Sequence, residues 1–143
     1  MKGPVLITGG SGSLGRQLAE RFGEAERTVR VFDLPFMDFS GLEGRPGIQV
    51  VKGDITDKEI VAASVARVDA VVHLAALLPP NSERDRAKTF AVNIGGTENI
   101  VAAMEEASPD ATLVFTSSIS TYGDTSAESA PIPTSHPQRA IDI

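Results

Sequence analysis

The eight residues Thr8 to Gly15, "TGGSGSLG", lie between a short apolar run and an amphipathic one. In that context they suit a loop that wraps a diphosphate. Gly9 permits the tight turn, Gly12 lets the backbone approach a pyrophosphate, and Gly15 lets the following helix pack closely on the strands. Free N–H groups and the partial positive charge of the helix start would hold the anion without a lysine, with Ser11, Ser13 and Leu14 in the same loop. Asp33 ends the next apolar run, eighteen positions past Gly15. A carboxylate there accepts hydrogen bonds from both ribose hydroxyls of an adenosine, with Leu34 beside it. Its charge repels a 2′-phosphate, and "LPFMD" after it offers no Arg or Lys to receive one, so NAD(H) is favoured over NADP(H).

A second candidate is "LVFTSSISTYGD", Leu113 to Asp124, which brings two serines and a tyrosine to one place. The two histidines are far apart and in no ligand spacing, and there is no cysteine. Thiolate catalysis, disulfides and cysteine zinc sites are thereby excluded.

The elements that must position these residues alternate short β-branched runs with amphipathic ones, the pattern of βα units on a parallel sheet. The strands are predicted at Pro4 to Thr8, Thr28 to Asp33, within Gly47 to Asp54, at Ala70 to Ala76 and at Thr112 to Ser118. Leu14, Leu18 and Phe22 recur at i, i+4, i+8, which predicts the buried face of a helix starting near Ser13. "TDKE", Thr56 to Glu59, fits a capping box with Thr56 as the cap, before a stripe of Val61, Val65 and Val68. The two prolines and three glycines between the second and third strands predict an irregular connection. A long helix is expected from about Glu83 to Ala107. Gly95 and Gly96 inside it each cost about 1 kcal/mol against alanine, so close packing or a bound ligand must offset them. His73, in an apolar strand, reads as a packed residue satisfied on backbone.

With 143 residues, 41% hydrophobic and 22% charged, the chain is in the range of one soluble domain. Nineteen acidic against thirteen basic residues give a charge of −6 and no basic run, which argues against a nucleic-acid surface. The apolar stretch before Gly9 is too short for a signal peptide or a membrane span, so a cytoplasmic protein is expected.

Taken in order, "TGGSGSLG", Asp33, "GDITD" (Gly53 to Asp57), "HLAA" (His73 to Ala76), "NIGGTENI" (Asn93 to Ile100) and "FTSSISTYGD" (Phe115 to Asp124) cover nearly the whole chain. The chain resembles the extended short-chain dehydrogenase/reductase superfamily, within it the NAD-dependent epimerase/dehydratase group of UDP-glucose 4-epimerase-like enzymes. The resemblance implies an α/β Rossmann-type three-layer fold with about five parallel strands in the order 3-2-1-4-5, over residues 1–124, followed by an irregular tail over 125–143. It implies that Asp54 and Ile55 border the adenine, Asp54 near its amino group, although Asp54 reads equally well as a cap of the third strand. Leu74, Ala75 and Ala76 would form a small-residue wall beside the cofactor. Asn93 would lie close to the site, as a polar group fixing a neighbouring turn. Ser118 matches the serine that hydrogen-bonds the substrate oxygen undergoing oxidation. Tyr122 matches a common tyrosine that is not the catalytic one.

The family's proton relay is a tyrosine and a lysine four residues apart. The chain's only tyrosine is Tyr122, and position 126 is a serine. The family places that pair after the fifth strand, about where this sequence stops. Three readings follow: the NAD-binding portion of a nucleotide-sugar epimerase, dehydratase or dehydrogenase cut short; a stand-alone NAD(H)-binding or regulatory module; or one half of a split enzyme. In each, the fifth strand is an uncovered edge, from which homo-oligomerisation or pairing with another polypeptide is expected.

Overall fold

A computed structural model of the chain describes residues 3–127 and 130–139. Four-residue β1, Val5–Thr8, is buried at every position, because its run of apolar residues can be covered on both faces only at the centre of a parallel sheet. Around it stand β2 (Val29–Asp33), β3 (Ile48–Lys52), β4 (Ala70–His73) and β5 (Thr112–Phe115). The order is β3-β2-β1-β4-β5, and every neighbouring pair is parallel. The fold is the Rossmann type that the resemblance implies.

Side chains of β1 alternate between two cores. Leu6 joins Phe32, Val61, Val65, Val71, Ile100 and Met104 on the face covered by α2 (Lys58–Val65) and α5 (Gly96–Ala107). Val5 and Ile7 join Ala19, Val29, Val31, Phe39, Leu42 and Val72 on the face covered by α1 (Ser13–Glu24). The connection between β2 and β3 contains no helix or strand, as its prolines and glycines predict. It is nevertheless part of the core, because Phe39 and Leu42 are 4% and 1% exposed and occupy the place of a crossover helix.

Several elements differ from the sequence-based expectation. The buried face of α1 runs through Gly15 and Ala19, with Leu18 and Phe22 partly buried against the same core, while Leu14 is 53% exposed. Gly15 lets the start of the helix lie close to the preceding turn, and it carries no hydrophobic signal. The cap of α2 is Asp57, whose carboxylate accepts from the amides of Glu59 and Ile60. Thr56 is unavailable for that role, because its own amide and hydroxyl donate to Asp54 Oδ1 at 2.9 and 2.8 Å. The Val61, Val65, Val68 stripe is buried, although the helix ends at Val65.

Instead of one long helix there are four pieces: α3 (Asn81–Arg84), α4 (Arg86–Phe90), a π turn (Ala91–Gly95) and α5. Asp85 breaks the run with extended backbone and caps α4 by accepting from the amide of Lys88. Gly96 is explained by packing, since a Cβ there would stand 2.6 Å from Ile55 Cγ2. Around Gly95 there is open space. Regular strand geometry stops at His73 and Phe115, short of the predicted Ala76 and Ser118. Strand β5 is exposed along its length, with Val114 and Phe115 at 50% and 55%. Among the described residues no helix is long and apolar enough to cross a membrane.

Candidate cofactor cleft

Parallel register sets the site. Thr8 pairs with Phe32 on one side and His73 on the other, and His73 pairs with Phe115. The segments that leave the carboxyl ends of β1, β2, β4 and β5 therefore emerge along one edge of the sheet. Strand order reverses at β1 and β4, where an open α/β sheet leaves a crevice for a ligand.

The glycine turn leaves β1 directly. Gly9 has φ +66, a left-handed conformation, and a Cβ on it would lie 2.9 Å from the amide nitrogen of Ala75. The turn thus sits against the segment that follows β4. At Gly15 an added Cβ would fall 2.5 Å from Gly10 Cα and 2.7 Å from the Gly9 carbonyl oxygen, so the close contact of α1 is with the turn itself. Gly10 packs on β2, where a Cβ would meet Val31 Cγ1 at 2.7 Å. Helix α1 begins after Gly12 with no side-chain cap and no acidic residue in its first turn. The first amides of a helix have no intrahelical acceptor, so those of Ser13, Leu14 and Gly15 suit an anion. At Gly12 an added Cβ would meet only the Gly9 carbonyl oxygen, at 3.2 Å, so the turn lies open beside it.

Asp33 is bound to this turn. Its Oδ2 accepts from the Ser11 amide at 3.0 Å and the Ser11 hydroxyl at 2.6 Å, and its Oδ1 accepts from the Leu34 amide at 2.9 Å. A carboxylate has about four acceptor positions. Three are in use, and a turn of the Ser11 hydroxyl would release another. The carboxylate is half-buried at the lip of the cleft, with an acceptor position left for a ligand.

Arg16 was not singled out by its sequence position. Its Nε donates to the Ser11 carbonyl at 2.7 Å, Nη1 to the Ser40 carbonyl at 2.7 Å, and Nη2 to the Asp38 carbonyl. The Asp38 carboxylate lies 3.6 Å from Nη2. A guanidinium thus does reach the loop after Asp33, although "LPFMD" itself has no basic residue, and it is engaged on carbonyl oxygens. Hydrogen bonds from Ser40 hold the Asp38 carboxyl below its ordinary value, with a further contribution from Arg16.

On the other side, His73 is 2% exposed and satisfied by side chains, not by backbone. Its Nδ1 lies 2.7 Å from the Thr8 hydroxyl and its Nε2 lies 3.0 Å from the Thr97 hydroxyl. The amides of Leu74 and Ala75 both donate to Thr8 Oγ1 at 3.2 Å. Burial lowers the pKa of the imidazole below 6.5. Asn93, in the π turn, holds both backbone groups of Leu77: Oδ1 accepts from its amide at 2.7 Å and Nδ2 donates to its carbonyl at 3.0 Å. A π turn inside a helix frequently marks a functional site.

Asp54 caps its own turn through Thr56. Ile55 faces the core against Gly96, and its carbonyl accepts from Asn99 Nδ2 at 3.0 Å, so only its backbone remains for a ligand. Ala76 is exposed, and Leu74 and Ala75 are half-buried at the lip. Ser118 begins a 3-10 turn, Ile119–Tyr122, and its hydroxyl accepts from the Ser120 amide at 3.1 Å and donates to the Ser120 hydroxyl at 3.0 Å. Tyr122 meets His136 edge to face at 5.9 Å, and the Arg139 amide donates to the Thr121 carbonyl, so the tail folds back over the turn. Among the described residues no cluster of His, Asp and Glu could hold a metal ion.

The NAD dependent epimerase/dehydratase family matches over residues 5–140. Among curated proteins, the 3 beta-hydroxysteroid dehydrogenase/Delta 5-->4-isomerase of Mycobacterium tuberculosis is 37% identical over 122 residues, 81% of this chain and 32% of that protein. The 3-beta-hydroxysteroid dehydrogenase of Mycolicibacterium neoaurum is 40% identical over 111 residues, 73% of this chain and 29% of that protein. Of the solved structures, UDP-glucose-4-epimerase from Stenotrophomonas maltophila, with bound NAD and formylated UDP-arabinopyranose, has a TM-score of 0.84 at 30% identity, over 97% of this chain and 43% of that one. Uronate dehydrogenase from Agrobacterium tumefaciens has a TM-score of 0.70 at 29% identity, over 84% of this chain and 42% of that one. The chain spans about a third of the length of the curated relatives it matches.

Proposed function

The chain belongs to the NAD-dependent epimerase/dehydratase family, and from that premise we propose that it is the dinucleotide-binding portion of an oxidoreductase that uses NAD(H) on a hydroxylated substrate. The observation that carries the reading is the joining of Asp33 to the glycine turn through Ser11, beside an uncapped helix start and at the reversal of strand order.

Bound nicotinamide dinucleotide would supply the hydride acceptor or donor. The chain's own residues bind and orient. The amides of Ser13, Leu14 and Gly15 receive the diphosphate, Asp33 accepts from the adenosine ribose, and Leu34 flanks it. The segment from Leu74 to Ala76 limits the width of the cleft, and Asn93 fixes its outer end at Leu77. Asp54 stands at the rim on the adenine side, with the backbone of Ile55. Ser118 presents a hydroxyl past the end of β5, where it would hold the substrate oxygen. A Tyr-x-x-x-Lys pair does not occur in these 143 residues, so proton exchange with the substrate needs groups supplied from elsewhere.

The substrate class follows from a shared chemistry. A hydroxysteroid dehydrogenase and a UDP-glucose epimerase, as those relatives are named, both act at a secondary alcohol, and we extend that to this chain as a nucleotide sugar or a hydroxysteroid. A second reading keeps the same cleft and makes the chain a module that binds NAD(H) without chemistry. The coding sequence past Ile143 separates the two: a Tyr-x-x-x-Lys supports the enzyme, and a stop codon there supports the module. Calorimetric titration is expected to show NAD binding at least about tenfold tighter than NADP, a difference of about 1.4 kcal/mol. Tighter binding of NADP would overturn the role given to Asp33.

A further inference from the structure

The hydroxyl groups around His73 fix where its proton sits. The Thr97 hydroxyl donates to the Asn93 carbonyl at 2.6 Å, which leaves its oxygen to accept, so Nε2 of His73 must be the N–H donor at 3.0 Å. In a neutral ring Nδ1 is then an acceptor, and the Thr8 hydroxyl donates to it at 2.7 Å. That leaves the lone pairs of Thr8 Oγ1 for the amides of Leu74 and Ala75. The hydroxyl and ring hydrogens of Thr97, His73 and Thr8 therefore run one way, from Thr97 to the Asn93 carbonyl, from His73 to Thr97 and from Thr8 to His73.

Both ends of this chain lie on the cleft. Thr8 is the residue before Gly9, whose Cα lies against Ala75, and Asn93 holds Leu77. We infer that His73 is a positioning residue, whose neutral Nε2-protonated imidazole holds the Gly9 turn and the Leu74-to-Leu77 segment at the spacing that admits the dinucleotide. The inference rests on the NAD(H) reading above. A second proton on Nδ1 would turn the Thr8 oxygen into an acceptor of three N–H groups and leave its own hydrogen without a partner. The Ala75 amide would then lose its acceptor, the Leu74 amide would keep only the Thr8 carbonyl at 3.2 Å, and the inner wall of the cleft would loosen. The groups that meet the ring are Thr8 from β1, Thr97 from α5 and Phe115 from β5, with ring centroids 5.7 Å apart for the last. None of them is titratable or charged, and burial lowers the imidazole pKa.

The test combines histidine 15N NMR of the 143-residue chain with NAD calorimetry, both from pH 8 to 5. The expected result is an Nε2–H tautomer at pH 8, and amide resonances of Gly9, Leu74 and Ala75 that move with the His73 midpoint. NAD affinity should fall about tenfold per pH unit below that midpoint. In His73→Asn, which keeps an acceptor for Thr8 and does not titrate, affinity should be flat with pH. Thr97→Val should weaken NAD at every pH and Thr97→Ser should restore it, which keeps the idea testable if the histidine variant does not fold. An Nδ1–H tautomer, or the same pH slope in His73→Asn as in the parent, would overturn the inference. If the tautomer and the shared midpoint are found but NAD binds at no pH, the brace stands and the cofactor reading falls.

Discussion

Alanine at Gly15 and alanine at Gly23 are the same change in the same helix, and the structure separates their effects. An alanine inside a helix is favoured over glycine by about 1 kcal/mol. At Gly23 nothing lies within 4 Å of the added Cβ, so Gly23→Ala should stabilise by about 0.5–1 kcal/mol. At Gly15 the Cβ would fall 2.5 Å from Gly10 Cα, 2.7 Å from the Gly9 oxygen and 2.8 Å from the Gly10 carbonyl carbon. All three are backbone atoms, which cannot swing aside. Forcing a methyl group into packed space costs about 1–3 kcal/mol, so the propensity gain is offset or exceeded. The difference between the two variants isolates the clash. At roughly 4 °C per kcal/mol for a chain of this size, Gly15→Ala should melt about 4–12 °C below Gly23→Ala. To relieve the clash, α1 must back away from the turn, which moves the Ser13, Leu14 and Gly15 amides away from Asp33 and Ser11. NAD should therefore bind at least about tenfold more weakly to Gly15→Ala and unchanged to Gly23→Ala. Thermal melts by circular dichroism and calorimetric titration read both quantities. Equal melting temperatures with equal NAD affinities would refute the contact between helix and turn as the basis of the site.

Stability should depend on pH through His73. Its folded pKa lies below the unfolded 6.5, so between the two values the unfolded chain holds the extra proton. Stability is then full above pH 6.5 and falls as pH drops toward the folded value, by at most about 1.4 kcal/mol per unit; denaturant melts at pH 7.5 and 5.5 measure it, and His73→Asn should remove this component. Asp57→Ala removes the acceptor for the Glu59 and Ile60 amides and should cost about 1 kcal/mol in urea titration, whereas Thr56→Ala should cost less. Val114→Lys, on the exposed β5 edge, should shift the chain toward monomer in sedimentation velocity, because a lysine blunts a strand edge; a parent chain that is monomeric at high concentration would refute association through this edge.

The strands were legible because β-branched runs bounded by glycine and proline have few alternatives, and Asp33 was legible because the end of β2 is a fixed distance from the glycine turn. Leu14 was misplaced for a physical reason: Leu18 and Phe22 do pack on the core, but the start of the helix is held against the glycine turn, which selects Gly15, a residue with no hydrophobic signal. Asp85 reads as part of one long helix, but its carboxylate competes for a backbone amide and caps α4 at Lys88. The Thr56 cap was lost to a competitor two residues away, Asp54. Arg16 was invisible because a long side chain acts across 22 and 24 residues of sequence to Asp38 and Ser40, and no local period records such a reach. The hydroxyl partners of His73 were hidden in the same way, 65 residues back and 24 residues on.

The helix-free connection between β2 and β3 bears on how this domain could be re-engineered. Phe39 and Leu42 anchor it in the core, while Arg16 ties its middle to Ser11. A graft that replaced residues 34–47 with the loop of another dinucleotide-binding protein would remove the carbonyls of Asp38 and Ser40 together with the Asp38 charge. Arg16 would keep its Nε bond to the Ser11 carbonyl, with its two terminal nitrogens released beside the Ser11–Asp33 pair. Such a chimera would acquire a positive field for a 2′-phosphate without any basic residue having been introduced, so the loop and the first turn of α1 have to be exchanged as one cassette.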